Sequence, residues 1–184
     1  MTTKSADLER LALPRATWDD LRFPATAVNP PGLASDPDWD GTKGGWLFAS
    51  NATELLYIIA QLPHSWAEGT EIRPHVHWEK TTSAGGTVYW NLNYQITAIG
   101  GPRSAAVDLG AYTSAQPSDT ADIQQITPLG PIDMTGYSLS CMLIMQLSRV
   151  HDNANDTYGA DARLLEFDFH VQSDHAGSAG EYTK

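Results

Sequence analysis

The segment QLPHSWAEGTEIRPHVHW, residues 61–78, contains the most informative residues of the chain. It ends an apolar run, turns at proline and glycine, and continues as a strand that carries His75 and His77. Because strand side chains alternate between two faces, His75, His77 and Glu79 are predicted to share one face. Such a face is a metal site, a subunit contact or a hydrogen-bonded structural layer, and the sequence leaves these three alternatives open.

Alternating residues on either side of this segment predict further strands. Residues 72–79 and 87–99 alternate with period 2, and the turn at 82–86 predicts that they form a hairpin. Residues 54–62 are apolar on both faces, which favours a strand covered on both sides, with a short helix as the alternative.

The C-terminal half continues the β pattern. Residues 139–150 are mostly apolar on both faces and predict a central strand, whereas residues 163–172 alternate. The chain thus shows about seven or eight strands, no strong helix signal and irregular Pro/Gly turns. These features predict an all-β fold, an antiparallel β-sandwich most simply of jelly-roll type, over residues 46–176.

The two ends of the chain differ from this domain in composition and in predicted structure. Residues 1–45 are rich in proline and glycine and are predicted to form an extended arm. The arm contains Trp18, Phe23 and Trp39, and aromatic residues mark segments that bury surface. It is therefore predicted to be ordered and to pack on its own domain or on a neighbouring subunit. Residues 177–184 are predicted to be a frayed tail.

Composition excludes several functional classes. The chain has 184 residues, 41% of them hydrophobic, which suits one compact domain. Its net charge of -11 repels phosphate backbones, so no nucleic-acid partner is expected. No apolar run is long enough for a membrane span, and the first twenty residues lack the apolar region of a signal peptide. The single cysteine, Cys141, cannot form an intrachain disulfide.

The histidine pair is the most specific chemical signal. An HxH pair on a strand matches the start of the first metal motif of cupins, because two imidazoles on one face can share an ion. The carboxylate that follows in cupins and their second motif are missing. A third ligand would come from Glu166, Asp168 or His170 on the polar face of the last strand. Hydrogen bonding among these groups, or a subunit interface, is the favoured interpretation.

Other candidate sites have ordinary structural explanations. Residues 152–156, DNAND, resemble a calcium loop in acidic spacing but lack its glycine and its bidentate glutamate, and Asn and Asp also favour turns. Cys141 lies in an apolar strand, where a thiol is buried and inert. No nucleophile elbow, phosphate loop or dinucleotide motif is present, so no catalytic residue is predicted.

The 61–78 segment, followed by TVYWNLNYQI, resembles a family of small tailed-bacteriophage virion proteins with a QLPH–EGT–PHxHW core. The later segment SRVHDNANDTYGADARLLEFDFHVQSD and the closing GS are similar to the same family, so the resemblance covers roughly residues 46–178. It implies a virion structural component, such as a capsid decoration or cement protein built as a β-sandwich. It carries over no catalytic residue.

These features together predict a non-enzymatic virion protein without cofactor or metal, assembled in the host cytoplasm. Its expected partners are copies of itself, as a homotrimer or alternatively a dimer, and the major capsid protein or another virion protein. One alternative is a cupin-like metal-binding protein or metalloenzyme that uses His75, His77 and His170. Another is a phage tail or neck adaptor or receptor-binding component. The predicted interface residues are Trp18, Phe23, Trp39, His64, Trp66, His75 and His77.

Overall fold

The computed structural model describes residues 17–111, 117–174 and 177–181. Its regular elements, numbered in chain order, are β-strands and one short 3₁₀ helix at Ala25–Ala27. The strands are β1 (Thr17–Pro24), β2 (Asp38–Trp39), β3 (Trp46–Phe48), β4 (Glu54–Gln61), β5 (Arg73–Lys80), β6 (Trp90–Thr97), β7 (Val107–Ala111), β8 (Gln124–Pro128), β9 (Met142–Arg149) and β10 (Ala162–Ser173). No helix in the described ranges is long and apolar enough to cross a membrane.

The strands form two antiparallel sheets. The six-stranded sheet has the order β2-β3-β10-β5-β8, with β1 also paired to β10, and the four-stranded sheet has the order β4-β9-β6-β7. From β3 onward, eight strands divide between the sheets as β3-β10-β5-β8 and β4-β9-β6-β7, which is the strand arrangement of a jelly roll. The predicted antiparallel β-sandwich is therefore confirmed.

The core lies between the inner faces of the two sheets. Trp90 of the four-stranded sheet packs edge-on against Phe48, with ring centroids 5.0 Å apart, and against Trp78 at 6.0 Å. All three side chains are almost fully buried. Strand β9 lies between β4 and β6, so the predicted central strand is also confirmed.

Two predictions about strand neighbours and faces are wrong. Strand β5 pairs with β10 and β8, whereas β6 pairs with β7 and β9 in the other sheet, so residues 72–79 and 87–99 form no hairpin. The period-2 pattern identifies the inward face of a strand but not its neighbours. Strand β4 is covered on one side only, since Tyr57 and Ile59 are 38% and 60% exposed.

The described part of the predicted arm lies on its own domain. Strand β1 pairs along β10, and the Arg22 guanidinium forms an ion pair with Glu166 at 2.5 Å. Phe23 contacts Phe167 and Phe169, while residues 1–16 lie outside the described residues. In the tail, residues 177–181 are described, and Ser178 Oγ lies 2.7 Å from His64 Nδ1.

The loop at 152–156 is held by a buried arginine. The Arg149 side chain is completely buried and donates from Nε and Nη2 to the two Asp156 carboxylate oxygens, at 2.9 and 2.7 Å. Its Nη1 donates to the carbonyl oxygens of Phe48 and Ala160. Asp156 thus neutralises Arg149, and the calcium alternative loses one of its two carboxylates.

A histidine–aspartate cluster on the six-stranded sheet

The two central strands of the six-stranded sheet position the histidine pair. Val76 and Trp78 point into the hydrophobic core, so His75 and His77 point to the outer face, as the alternation predicts. In the register of the sheet, Asp168 on β10 lies directly opposite His75. The three residues His75, His77 and Asp168 form what we call the His–Asp cluster.

The cluster is compact and largely shielded from solvent. His75 Nε2 lies 2.6 Å from Asp168 Oδ1, and His77 Nε2 lies 3.4 Å from Asp168 Oδ2. One nitrogen or oxygen atom from each residue can be chosen such that all three lie within 4.8 Å of one another. The exposed fractions of the side chains are 7%, 18% and 5% for His75, His77 and Asp168.

Groups around the cluster hold the imidazole rings. Gln124 Nε2 on β8 donates to His77 Nδ1 at 2.6 Å, and His75 Nδ1 lies 3.5 Å from the Arg73 carbonyl oxygen. The His75 ring packs between two other imidazoles, with centroids 4.9 Å from His77 and 4.4 Å from His170. These contacts leave the Nε2 atoms of His75 and His77 facing Asp168.

The pKa values of the cluster reflect mutual stabilisation of opposite charges. Burial raises the pKa of Asp168, but the imidazoles of His75 and His77 beside the carboxylate outweigh this effect and lower the pKa to about 2. Burial lowers the pKa of His75, and the Asp168 carboxylate outweighs this effect and raises it. The short contact is nevertheless poorly directed, because Asp168 Oδ1 receives no hydrogen bond of acceptable angle.

A surface cavity of about 560 Å³ opens beside the cluster. Its walls include His75, His77 and Asp168 together with Asp20 and Arg73. A second groove of about 420 Å³ on the other side shares Asp20, His77 and Asp168. The cluster is thus reachable by a small molecule or ion from the outer face of the sandwich.

The other predicted ligand candidates have different partners. Glu79 shares the face of the histidines but forms an ion pair with the nearly buried Arg163. Glu166 pairs with Arg22. His170 Nε2 lies 3.3 Å from Asp20, and its ring covers His75 without bringing a ligand atom into the His–Asp cluster. Of the three candidates Glu166, Asp168 and His170, it is therefore Asp168 that lies beside both His75 and His77, whereas the cupin-like alternative named His170.

Several predicted interface residues serve the fold of the single chain. Trp66 is 0% exposed and belongs to the core, so its assignment as an interface residue is wrong. His75 is also buried, and its partner, Asp168, lies within the same chain. Trp18 and Trp39 remain 48% and 42% exposed, and the Arg73 guanidinium stacks over Trp18 at 4.9 Å.

Three adjacent strands of the four-stranded sheet, β4, β9 and β6, share an outer face without a charged residue, which the sequence interpretation missed. The outward positions alternate with core-facing ones along β4, β9 and β6, although Ser148 at the end of β9 is itself nearly buried. We call this set the neutral face: Leu55, Tyr57, Ile59 and Gln61 on β4; Met142, Ile144, Gln146 and Ser148 on β9; Asn91, Asn93, Gln95 and Thr97 on β6. The next strand, β7, places the charged residue Asp108 opposite Asn93 on the same side of the sheet. Its carboxylate accepts hydrogen bonds from Asn91 and Asn93.

Comparisons with known proteins add little to this geometry. No family model matches the sequence, and no curated protein matches it. One similar solved structure comprises the CBM22-1 and GH10 modules of the Clostridium thermocellum N-terminal endo-1,4-beta-D-xylanase 10B, complexed with xylohexaose. The identity is 8% and the TM-score 0.39, over 91% of this chain and 28% of that chain. The present chain therefore spans less than a third of that chain, and a similarity this distant carries no functional argument.

Proposed function

We propose that this chain is a non-enzymatic structural protein of a tailed-bacteriophage virion, which assembles as a homo-oligomer and decorates the capsid shell. The resemblance of residues 61–78 to phage virion proteins motivates the virion assignment. The neutral face is the observation that supports assembly. Neither depends on chemistry at the His–Asp cluster.

The neutral face has the composition of an interface centre. Charged residues make up 18% of the chain but are absent from this face, and depletion of charge is the compositional mark of interface cores. Ile59 and Tyr57 expose apolar surface at its rim, on an edge strand. Beyond the bridge between Asn29 and Tyr57, this edge of β4 has no partner strand among the described residues.

The neutral face is large enough for the centre of a subunit interface but too small for a complete interface. Three adjacent strands of eight residues cover roughly 350 Å² at ordinary strand spacing and rise. A standard stable interface buries about 800 Å² on each partner. The loops around the neutral face would supply the remainder, as the polar rim.

A second copy of this chain is the occupant that the charge distribution favours. With a net charge of -11, two copies repel each other over most of their surfaces, and a neutral face is where they can approach. A basic shell protein would instead be attracted by the acidic surfaces. Closed rotational symmetry is the usual outcome of self-association. The form proposed is a homotrimer, with a dimer as the alternative.

Imaging of the assembled particle tests this function. Purified virions of the phage that encodes the chain should show it in many copies on the shell, grouped as oligomers, and gold-labelled antibody should decorate the capsid. Labelling confined to the neck or tail would overturn the decoration role in favour of an adaptor or receptor-binding component. Particles without the chain would overturn the virion assignment altogether.

A further inference from the structure

We propose that His75, His77 and Asp168 bind one divalent transition-metal ion of the Zn²⁺ class, with an open coordination position facing the surface cavity. The site goes beyond the structural role proposed above and does not rest on it. It would make the chain a metalloprotein whether it sits on a capsid or elsewhere.

The donor set suits such an ion. Neutral imidazole nitrogen is a preferred ligand of Zn²⁺, Fe²⁺ and Cu²⁺, and a carboxylate commonly completes a three-residue set. Calcium and magnesium prefer sites made of oxygen alone, so two histidines argue against them. Three protein ligands leave at least one position for water or a small anion.

The distances are close to those of a metal site. With bonds of about 2.1 Å, ligand atoms around a tetrahedral ion lie about 3.4 Å apart. Here Nε2 of His77 and Oδ2 of Asp168 are 3.4 Å apart, and all three ligand atoms fall within 4.8 Å. The 2.6 Å contact of His75 with Asp168 would have to lengthen around an ion, and rotation of the carboxylate about its broad terminal torsion can provide this change.

The buried carboxylate also has unused bonding capacity directed into the cluster. Asp168 is 4% exposed, yet its Oδ1 accepts no hydrogen bond of acceptable direction. A buried, unsatisfied carboxylate oxygen costs free energy, and such exceptions call for an explanation. An ion among the three side chains would satisfy Oδ1 and the lone pairs of both imidazoles at once.

The surroundings resemble the supporting shell of a metal centre. Metal-binding histidines usually donate their second ring nitrogen to an oxygen. His75 Nδ1 already faces the Arg73 carbonyl oxygen, and a turned Gln124 amide would offer its oxygen to His77 Nδ1. Both histidines and Asp168 sit on central strands, which fixes their backbone positions.

Metal titration of the full, tag-free chain tests the proposal. After treatment with a chelator, the protein should bind one Zn²⁺ per chain by calorimetry and one Co²⁺ with visible absorption bands of a four- or five-coordinate ion. Added azide should change the Co²⁺ spectrum, because an open position faces the cavity. Absence of one-to-one binding for both ions would overturn the proposal, and an azide-insensitive spectrum would overturn the open position.

Variants distinguish the ligands from their neighbours. Two variants remove a ligand: Asp168→Asn and, at the more exposed position, His77→Gln. Each should weaken Co²⁺ binding at least about 100-fold, because loss of a residue that only supports a ligand weakens metal binding by about 100-fold at most. His170→Gln and the remote His151→Gln should retain it. Thermal unfolding checks that each variant is folded. Unchanged binding by folded Asp168→Asn, or loss with His170→Gln alone, would refute this ligand set, and neither result bears on where the chain sits in a virion.

Discussion

Replacing Asp156 with asparagine should destabilise the whole sandwich although the residue lies in a loop. The Arg149 side chain is fully buried and directs two of its nitrogens at the Asp156 carboxylate, whose side chain is only 2% exposed. The asparagine keeps the shape but removes the negative charge and one acceptor. Breaking a buried ion pair from one side costs about 3–5 kcal/mol, since the remaining charge is left without compensation. We expect the lower end, because carbonyl oxygens of Phe48 and Ala160 still accept from Arg149.

Urea unfolding followed by tryptophan fluorescence measures this change. A loss of about 3 kcal/mol corresponds to a fall in melting temperature of about 6–12 °C for a domain of this size. The matched control is Asp152→Asn in the same loop, whose exposed side chain should change the free energy of unfolding by less than about 0.5 kcal/mol. If the free energy of unfolding of Asp156→Asn lies within about 0.5 kcal/mol of the wild-type value, the buried ion pair does not anchor this loop.

Three further predictions concern single positions. Gly86 has a φ of +121°, and a Cβ there would lie 2.6 Å from the Thr157 carbonyl oxygen, so Gly86→Ala should lower the free energy of unfolding by about 1–3 kcal/mol in a urea titration. Burial raises the pKa of the Cys141 thiol, which should react with a thiol reagent only after denaturation; equal rates in folded and unfolded protein would contradict this. A hydrogen bond from Lys43 lowers the pKa of Asp122 below its ordinary 3.8. As the pH falls from about 5 to 3, the unfolded chain therefore binds more protons than the folded chain, and the free energy of unfolding declines. Lys43→Gln removes the main cause of the lowered pKa, so it should make the melting temperature depend less on pH over the same interval.

Alternation in the sequence predicts the faces of strands well. It placed His75 and His77 on the side opposite Val76, and the structure has them so. It also identified the all-β class, because runs of period 2 separated by Pro/Gly turns have few other solutions. These inferences succeed because each depends only on residues close together in the chain.

Neighbours and registers depend on residues far apart, and they could not be predicted. Nothing in the pattern of β5 says that β10 lies beside it rather than β6. The third member of the His–Asp cluster follows from that register: Asp168 lies opposite His75, while Glu166 and His170 on the same face each find other partners. The register between β10 and β5 also shifts between Leu164 and Glu166, and no local sequence pattern predicts this irregularity.

The neutral face illustrates a signal that was visible but misassigned. Residues 54–62 are apolar on both faces, and the sequence interpretation placed both inside one chain. In the structure, one face enters the core and the other, with Tyr57 and Ile59, stays exposed. We infer that the second face is buried in the assembly, which would reconcile the pattern with the structure.

The mass of the protein in solution tests this inference most directly. Light scattering coupled to size exclusion should give the wild-type chain a defined multiple of 20.0 kDa, with about 60 kDa expected for the favoured trimer. Ile59→Lys places a charge within the neutral face and should yield a folded 20.0 kDa monomer, whereas Ile123→Lys, at an exposed isoleucine next to the six-stranded sheet, should keep the wild-type mass. A wild-type monomer at every concentration, or an Ile59→Lys variant with unchanged oligomeric mass, would contradict the account.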